Sequence, residues 1–160
     1  MKHFIHFVIV TMLLLTGITI QAQQPHKPSL STVIKFKPPV VKTFLGKITG
    51  KLPSVNGEEG KQMISLPLIV IDDKNVPYTI SSYQFAYKRI GVTEDEETGK
   101  ALPQSDMVGD HFNTTPLPAI WQSNIRETLH KGEELYFFDI IVLDKQGRRF
   151  FAPELKISIQ

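Results

Sequence analysis

Histidines and acidic side chains are the residues of this chain best suited to acid–base chemistry or metal binding. Outside the first 22 residues the chain has three histidines: His26, His111 and His130. Only His111 has a neighbouring carboxyl group, that of Asp110. Because a metal ion would need further ligands from distant positions such as Asp72 or Asp106, we interpret His111 as an exposed loop histidine.

Acidic residues offer two further candidate sites. The run Glu94-Asp95-Glu96-Glu97 carries oxygen ligands, but it lacks the spacing of a calcium loop, so we interpret it as a solvated loop. An exported enzyme or small-ligand binder, with a site assembled from scattered residues, stays open as an alternative function. Its candidate residues are Asp106, Asp110, His111 and Glu134.

The common catalytic signatures are missing from the sequence. There is no nucleophile elbow, phosphate-binding glycine loop, dinucleotide fingerprint or zinc-protease motif. The chain has no cysteine, which excludes disulfides, thiolate metal sites and cysteine nucleophiles. We therefore expect a protein that is not an enzyme and that needs no cofactor or metal.

Composition describes one folded domain of nearly neutral charge. The chain has 160 residues, of which 41% are hydrophobic, and its mean hydropathy is −0.08. Without Lys2, which lies in the first 22 residues, 17 basic residues face 16 acidic ones. Because nucleic-acid binding usually needs a concentrated basic face, this balance argues against a nucleic-acid partner.

The N-terminus has the pattern of an export signal. A short basic start precedes an apolar run that ends in a small residue at Ala22, which predicts a cleavable signal peptide over residues 1–22. Residues 23–39 are rich in Pro, Lys and Ser and predict an extended linker, and residues 40–160 form the predicted domain. We expect a periplasmic protein without stable membrane insertion after processing; secretion is the alternative, and a retained anchor stays open.

The predicted domain consists of strands separated by turns. In residues 78–90 strict alternation puts Tyr83, Phe85 and Tyr87 on one face, which we expect to be the inner one. Residues 133–143 and 148–159 predict a hairpin that turns at Gly147, with a break at Pro153. Further strands are predicted over residues 43–52, 62–71 and 106–112, and residues 53–60 predict a loop.

A single helix interrupts this pattern. Thr115 is its predicted cap, Pro116 its first residue and Gly132 its end. An apolar stripe of helical spacing runs along it: Leu117, Ile120, Trp121, Ile125 and Leu129. About six strands with one short peripheral helix predict a mainly β fold, an antiparallel immunoglobulin-like β-sandwich.

Four segments together resemble the C-terminal domain of the gliding-motility protein GldM. They are Phe44-Leu45-Gly46-Lys47-Ile48-Thr49-Gly50-Lys51-Leu52, Ile80-Ser81-Ser82-Tyr83-Gln84-Phe85, Leu129-His130-Lys131-Gly132-Glu133-Glu134-Leu135-Tyr136-Phe137-Phe138-Asp139-Ile140 and Asp144-Lys145-Gln146-Gly147-Arg148-Arg149. They occur in the family's order and span residues 38–160. The resemblance implies an immunoglobulin-like periplasmic module from a Bacteroidota-type bacterium, related to the type IX secretion and gliding apparatus.

The resemblance also assigns structural roles to matched residues. Gly46 and Gly50 would allow close backbone approach, Gly132 would end the helix, and Gly147 would form the hairpin turn. Asp139 would be a hydrogen-bonding anchor near the sheet end. This chain differs from the family's full-length members, which carry a membrane helix and several further periplasmic domains, so a role in transmitting motor torque does not carry over.

The function that fits these observations is an exported, non-catalytic protein-interaction module, such as an envelope adaptor. We expect envelope proteins as partners, and docking through an exposed sheet edge or through the loops at one end. The candidate contacts are Asp95 and Glu96 in the acidic loop and Trp121 on the helix. The sequence does not predict the oligomeric state.

Overall fold

The computed structural model describes residues 36–160, of which Lys37–Gln160 form one compact unit. The predicted signal peptide and residues 23–35 of the linker lie outside the described residues. The strands are β1 (Val41–Leu45), β2 (Ser54–Val55), β3 (Leu68–Asp72), β4 (Pro77–Glu94), β5 (Ala101–Phe112), β6 (Glu134–Leu143), β7 (Arg149–Phe151) and β8 (Leu155–Ile159). The helices are α1 (Gly57–Met63) and α2 (Ala119–Thr128). Neither helix is long and apolar enough to cross a membrane.

A curled sheet is built around the long strands β4 and β6. Its strand order is β1-β3-β4-β6-β8-β2, with β5 added to β4 and β7 added to β6. The pairs are antiparallel except β2 with β8, which is parallel. The prediction of a mainly β fold is confirmed, but the sheet is mixed, so the prediction of a purely antiparallel arrangement is wrong.

The pairing between β4 and β6 is irregular, and irregularities of this kind bend and twist a sheet. The register shifts between Ile80 and Ser82 and again between Ser82 and Gln84. At the second shift, two residues of β6 lie opposite one residue of β4, and one of the two, Asp139, has a φ of 47°. Asp139 is exposed in this bulge inside β6, so its predicted position near the sheet end is wrong.

The core lies on one face of the curled sheet. Tyr83, Phe85 and Tyr87 are buried, as their alternation predicts, and Phe137 of β6 packs beside them. From β8, the two helices and the residue that follows α2, the core receives Leu155, Ile157, Ile159, Met63, Ile125 and Leu129. The Tyr83 and Tyr87 hydroxyl groups reach backbone carbonyls, those of Thr114 and Thr128 respectively. Burial raises the pKa of both tyrosines to about 12.

Helix α2 begins later than the sequence predicts. Thr115 does not cap it; its hydroxyl oxygen accepts a hydrogen bond from the Leu68 N–H at 2.7 Å and so fastens the preceding loop to β3. The N-cap is Pro118, and the helix ends at Thr128, before the predicted end at Gly132. Because the first turn starts at Ala119, Ile120 points outward and is 64% exposed, so its predicted place in the buried stripe is wrong.

A second helix and a short strand occupy the segment that the sequence predicted as a loop. Helix α1 is capped by Asn56, whose side chain accepts from the Glu59 N–H at 2.8 Å. Its Gly60 packs so closely on Leu129 that a Cβ atom would lie 2.8 Å from the leucine methyl group. The prediction of one peripheral helix is therefore wrong.

Two predicted segments differ from the structure in extent, and the predicted C-terminal hairpin agrees with it. The strand predicted over residues 43–52 ends at Leu45, in a turn where Gly46 has a φ of 60°. The run over residues 62–71 is divided between α1 and β3, because Pro67 precedes the strand. The C-terminal hairpin is confirmed: Gly147 has a φ of 76°, and Pro153 lies in the break between β7 and β8.

Candidate functional site

Beyond the end of β6, strands β4 and β5 continue as a two-stranded arm. Pairing of β4 with β6 stops at Lys88 opposite Glu134, whereas pairing with β5 continues to Glu94 opposite Ala101. We call residues 89–107 the arm. An isolated two-stranded ribbon has only one paired edge per strand and little core of its own. The arm therefore presents an edge of β4 that no other strand of the described domain pairs with.

The two sides of the arm differ in chemistry. On one side, Arg89 pairs with Asp106 at 2.6 Å, and the Thr93 hydroxyl donates to the side chain of Gln104. The opposite side, which we call the apolar side, carries Ile90, Val92, Ala101, Pro103 and Met107, together with the polar residues Glu94 and Ser105. Leu102, which is 48% exposed, lies on the first side, opposite Thr93. Val92 and Met107 are 72% and 62% exposed, and Ile90 is 47% exposed. Such a cluster on a projecting ribbon is typical of a contact surface.

An ordered acidic turn forms the tip of the arm. Asp95 accepts hydrogen bonds from the hydroxyl group and the N–H of Thr98, at 2.7 and 2.8 Å. These two bonds lower the pKa of the Asp95 carboxyl group, since they favour its charged form. Glu94, Glu96 and Glu97 are exposed, so the prediction of a solvated loop is confirmed.

Glu133 fastens the root of the arm to the domain. It is 2% exposed, and its carboxyl oxygens accept from the N–H groups of Ile90 at 3.2 Å and His130 at 2.8 Å. The Tyr87 hydroxyl group donates to the same carboxyl group. Glu133 thus bonds β4 just beyond the position where pairing with β6 stops. Both of its buried carboxyl oxygens have hydrogen-bond donors, as buried polar atoms usually do.

A groove of about 460 Å³ runs along the unpaired edge of β4 at this root. Residues Arg89 to Val92 of β4 form one wall, together with Gln104 and Asp106 of β5. The opposite wall is formed by Thr128, His130 and Glu133. The groove therefore extends from the unpaired edge of β4 over the face of the arm that carries Arg89, Gln104 and Asp106.

The sheet register separates the four residues of the enzyme or ligand-binding alternative. Asp106 and Asp110 lie opposite Arg89 and Phe85, on the face that carries the core. His111 lies opposite Gln84 on the other face. Glu134 belongs to that other face as well: it lies opposite Lys88, to which it bonds at 3.5 Å. A site containing all four would have to span the sheet.

Trp121, a predicted partner contact, is half-buried and packs into the core. Its ring stands edge-on against Phe85 and Phe112, with centroids 5.6 and 5.7 Å apart. These contacts give the Trp121 ring a structural role in the core. The other predicted contacts, Asp95 and Glu96, lie at the arm tip. Among residues 36–160 no three His, Asp or Glu side chains are grouped closely enough to hold a metal ion.

Comparison with known proteins gives no assignment. No protein-family profile matches the chain, and no curated protein matches it.

Sequence reasoning missed Glu133 and the free edge of β4. For Glu133 a signal was available in the alternation of side chains along a strand. Glu133 lies two and four residues before Leu135 and Phe137, which are both buried, so its side chain is expected on the same, inner face. The free edge had no signal, because it depends on where β6 stops pairing, which is decided by tertiary structure.

Proposed function

We propose that this protein is an exported, non-catalytic protein-interaction module that works in the cell envelope, and that it contacts its partner through the arm. The apolar side of the arm is the observation that carries this proposal. Ile90, Val92 and Met107 are exposed together on a ribbon that contributes little to the core. Exposed apolar side chains in such a cluster are favourable once a partner covers them.

The resemblance to the C-terminal domain of GldM belongs to this proposal. We propose that the curled sheet is an immunoglobulin-like sandwich and that the protein is a periplasmic adaptor related to the secretion and gliding apparatus, with secretion as the alternative location. Support comes from Gly147, whose φ of 76° is what the hairpin-turn role implied for it requires. Gly46, Gly50 and Gly132 have positive φ values as well. However, α2 ends at Thr128, before Gly132, and no atom lies within 4 Å of a Cβ placed on Gly50, so the roles implied for these two are wrong.

The test is crosslinking in intact cells of the native host, followed by affinity purification of the tagged protein and mass spectrometry. The variant carries Val92→Asp and Met107→Asp, which put charge on the apolar side. The matched control is Phe151→Asp, because Phe151 is 68% exposed on β7, at the opposite end of β6. We expect the wild type and the control to recover the same envelope proteins and the arm variant to lose them.

Two outcomes would contradict the proposal. One is recovery of the same proteins by the arm variant in undiminished yield. The other is that the wild type recovers no reproducible partner. Recovery of secretion or gliding subunits would support the adaptor role specifically.

A further inference from the structure

We propose that the free edge of β4 at Ile90–Glu94 binds an extended strand of a partner protein, one with apolar side chains at alternate positions and basic residues at its N-terminal end. This inference rests on the proposed function, since it names how the arm binds. The strand would run antiparallel to β4, the direction that β6 takes on the same edge.

The direction of the backbone groups on β4 follows from two hydrogen bonds. Asp95 donates its N–H to Lys100 of the neighbouring strand segment at 2.9 Å, so odd-numbered residues face β5. Ile90 donates its N–H away from β5, to Glu133. Because these directions alternate along a regular strand, the N–H and C=O groups of Val92 and Glu94 and the C=O of Ile90 point to the free edge. The ladder with β5 has no register shift that would alter this order.

The other edge of the arm is protected. Pro103 lies opposite Val92. By the same alternation, its nitrogen faces away from β4, where any other residue would present an N–H to a new strand. Proline at such a position is a common block against strand addition. In β4, residues 89–94 contain no proline, so the arm is closed to a strand on one edge and open on the other.

Side chains beside the open edge define the chemistry of the partner. Ile90 and Val92 lie on the apolar side, so a strand added here gains most by placing apolar residues over the same side. At the tip, Glu94, Asp95, Glu96 and Glu97 outnumber the single cation Lys100. In an antiparallel arrangement the N-terminal end of the added strand lies at this tip, so lysine or arginine there is favoured.

The direct test is a peptide titration of the isotope-labelled protein, followed by amide hydrogen exchange. The probe is a blocked nine-residue peptide in which two lysines precede alternating threonine and valine. A second peptide carries two glutamates in place of the lysines. We expect the exchange of the Val92 and Glu94 amides to slow with the lysine peptide, and we expect the glutamate peptide to bind several-fold more weakly.

A matched pair of variants isolates the backbone bond. Val92→Pro removes an N–H that faces the free edge and leaves the ladder with β5 intact. Val92→Thr keeps the N–H and the branched shape. We expect Val92→Pro to weaken peptide binding about tenfold relative to Val92→Thr. Equal binding by the two variants, or no slowing of exchange in the wild type at millimolar peptide, would overturn the inference.

The same pair separates this inference from the proposed function. In the cellular crosslinking experiment, strand addition predicts that Val92→Pro loses the partners that Val92→Thr keeps. If Val92→Pro keeps them while the doubly charged arm variant loses them, the partner contacts the apolar side without adding a strand. That result would refute strand addition and leave the interaction role in place.

Discussion

Removal of the Glu133 carboxyl group should loosen the root of the arm. In the Glu133→Ala variant the N–H groups of Ile90 and His130 lose their acceptor, while the Tyr87 hydroxyl group keeps the Thr128 carbonyl, 3.1 Å away. A fully buried donor left without a partner costs about 1–3 kcal/mol. Since both of these hydrogen bonds are only partly buried, we expect the lower end for each donor, a loss of about 2–3 kcal/mol in the free energy of unfolding.

The amide variant Glu133→Gln should cost less. It keeps one acceptor oxygen but directs an NH₂ group at one of the remaining donors. We therefore expect a loss of about 1–2 kcal/mol, equivalent to one hydrogen bond.

Urea denaturation followed by circular dichroism measures these changes, and the neighbouring residue supplies the control. Glu134 bonds Lys156 at 3.1 Å in a partly exposed ion pair, so Glu134→Ala should cost less than about 1 kcal/mol. Amide exchange should also speed up at Ile90 in Glu133→Ala. If Glu133→Ala and Glu134→Ala have equal stability, the carboxyl group does not hold the arm and the reasoning is wrong.

Three further predictions concern the sheet. Gly109→Ala should cost about 1–3 kcal/mol in the free energy of unfolding, because its Cβ would lie 2.7 Å from the carbonyl oxygen of Phe85. Gly91→Ala should be nearly neutral, since its Cβ would lie 4.0 Å from the carbonyl oxygen of Gln104; equal costs for the two variants would contradict this. Asp139→Val should lower the free energy of unfolding by about 1–2 kcal/mol, whereas Asp139→Gly should not lower it, since a φ of 47° suits glycine and disfavours a β-branched residue. A glycine variant less stable to urea than the valine variant would refute this explanation. The Tyr87 pKa is raised to about 12, so its contribution to stability is complete below pH 10 and is lost as pH rises towards 12. Because Tyr83 and Tyr136 have equally raised pKa values, Tyr87→Phe should reduce the loss of stability in that window without abolishing it, and an unchanged profile would count against this.

Patterns with a strict period were sufficient to predict the central strands. The alternation of Tyr83, Phe85 and Tyr87 fixes their inner face because a strand has only two faces. Gly147 fixes the C-terminal turn because few other residues adopt a positive φ without strain. In these regions local sequence and tertiary structure agree.

Other features depend on contacts that no local pattern records. Helix α1 contains Gly57 and Gly60, which predict a loop by propensity, yet Gly60 is buried against Leu129 and Ile159, and packing overrides propensity there. Residues 43–52 have strand-forming composition, but the chain turns at Gly46 and supplies only a short β1. The arm became visible only once the ends of β4 and β6 were known.

The central claim is that the arm contacts a partner, and site-specific photocrosslinking in intact cells tests it most directly. A photoreactive benzoyl-phenylalanine replaces Val92 in one strain and Lys145, in the exposed β6–β7 turn, in another. The account predicts defined adducts from position 92, absent without light and absent from position 145. Adducts of equal yield at both positions, or none at position 92, would contradict it.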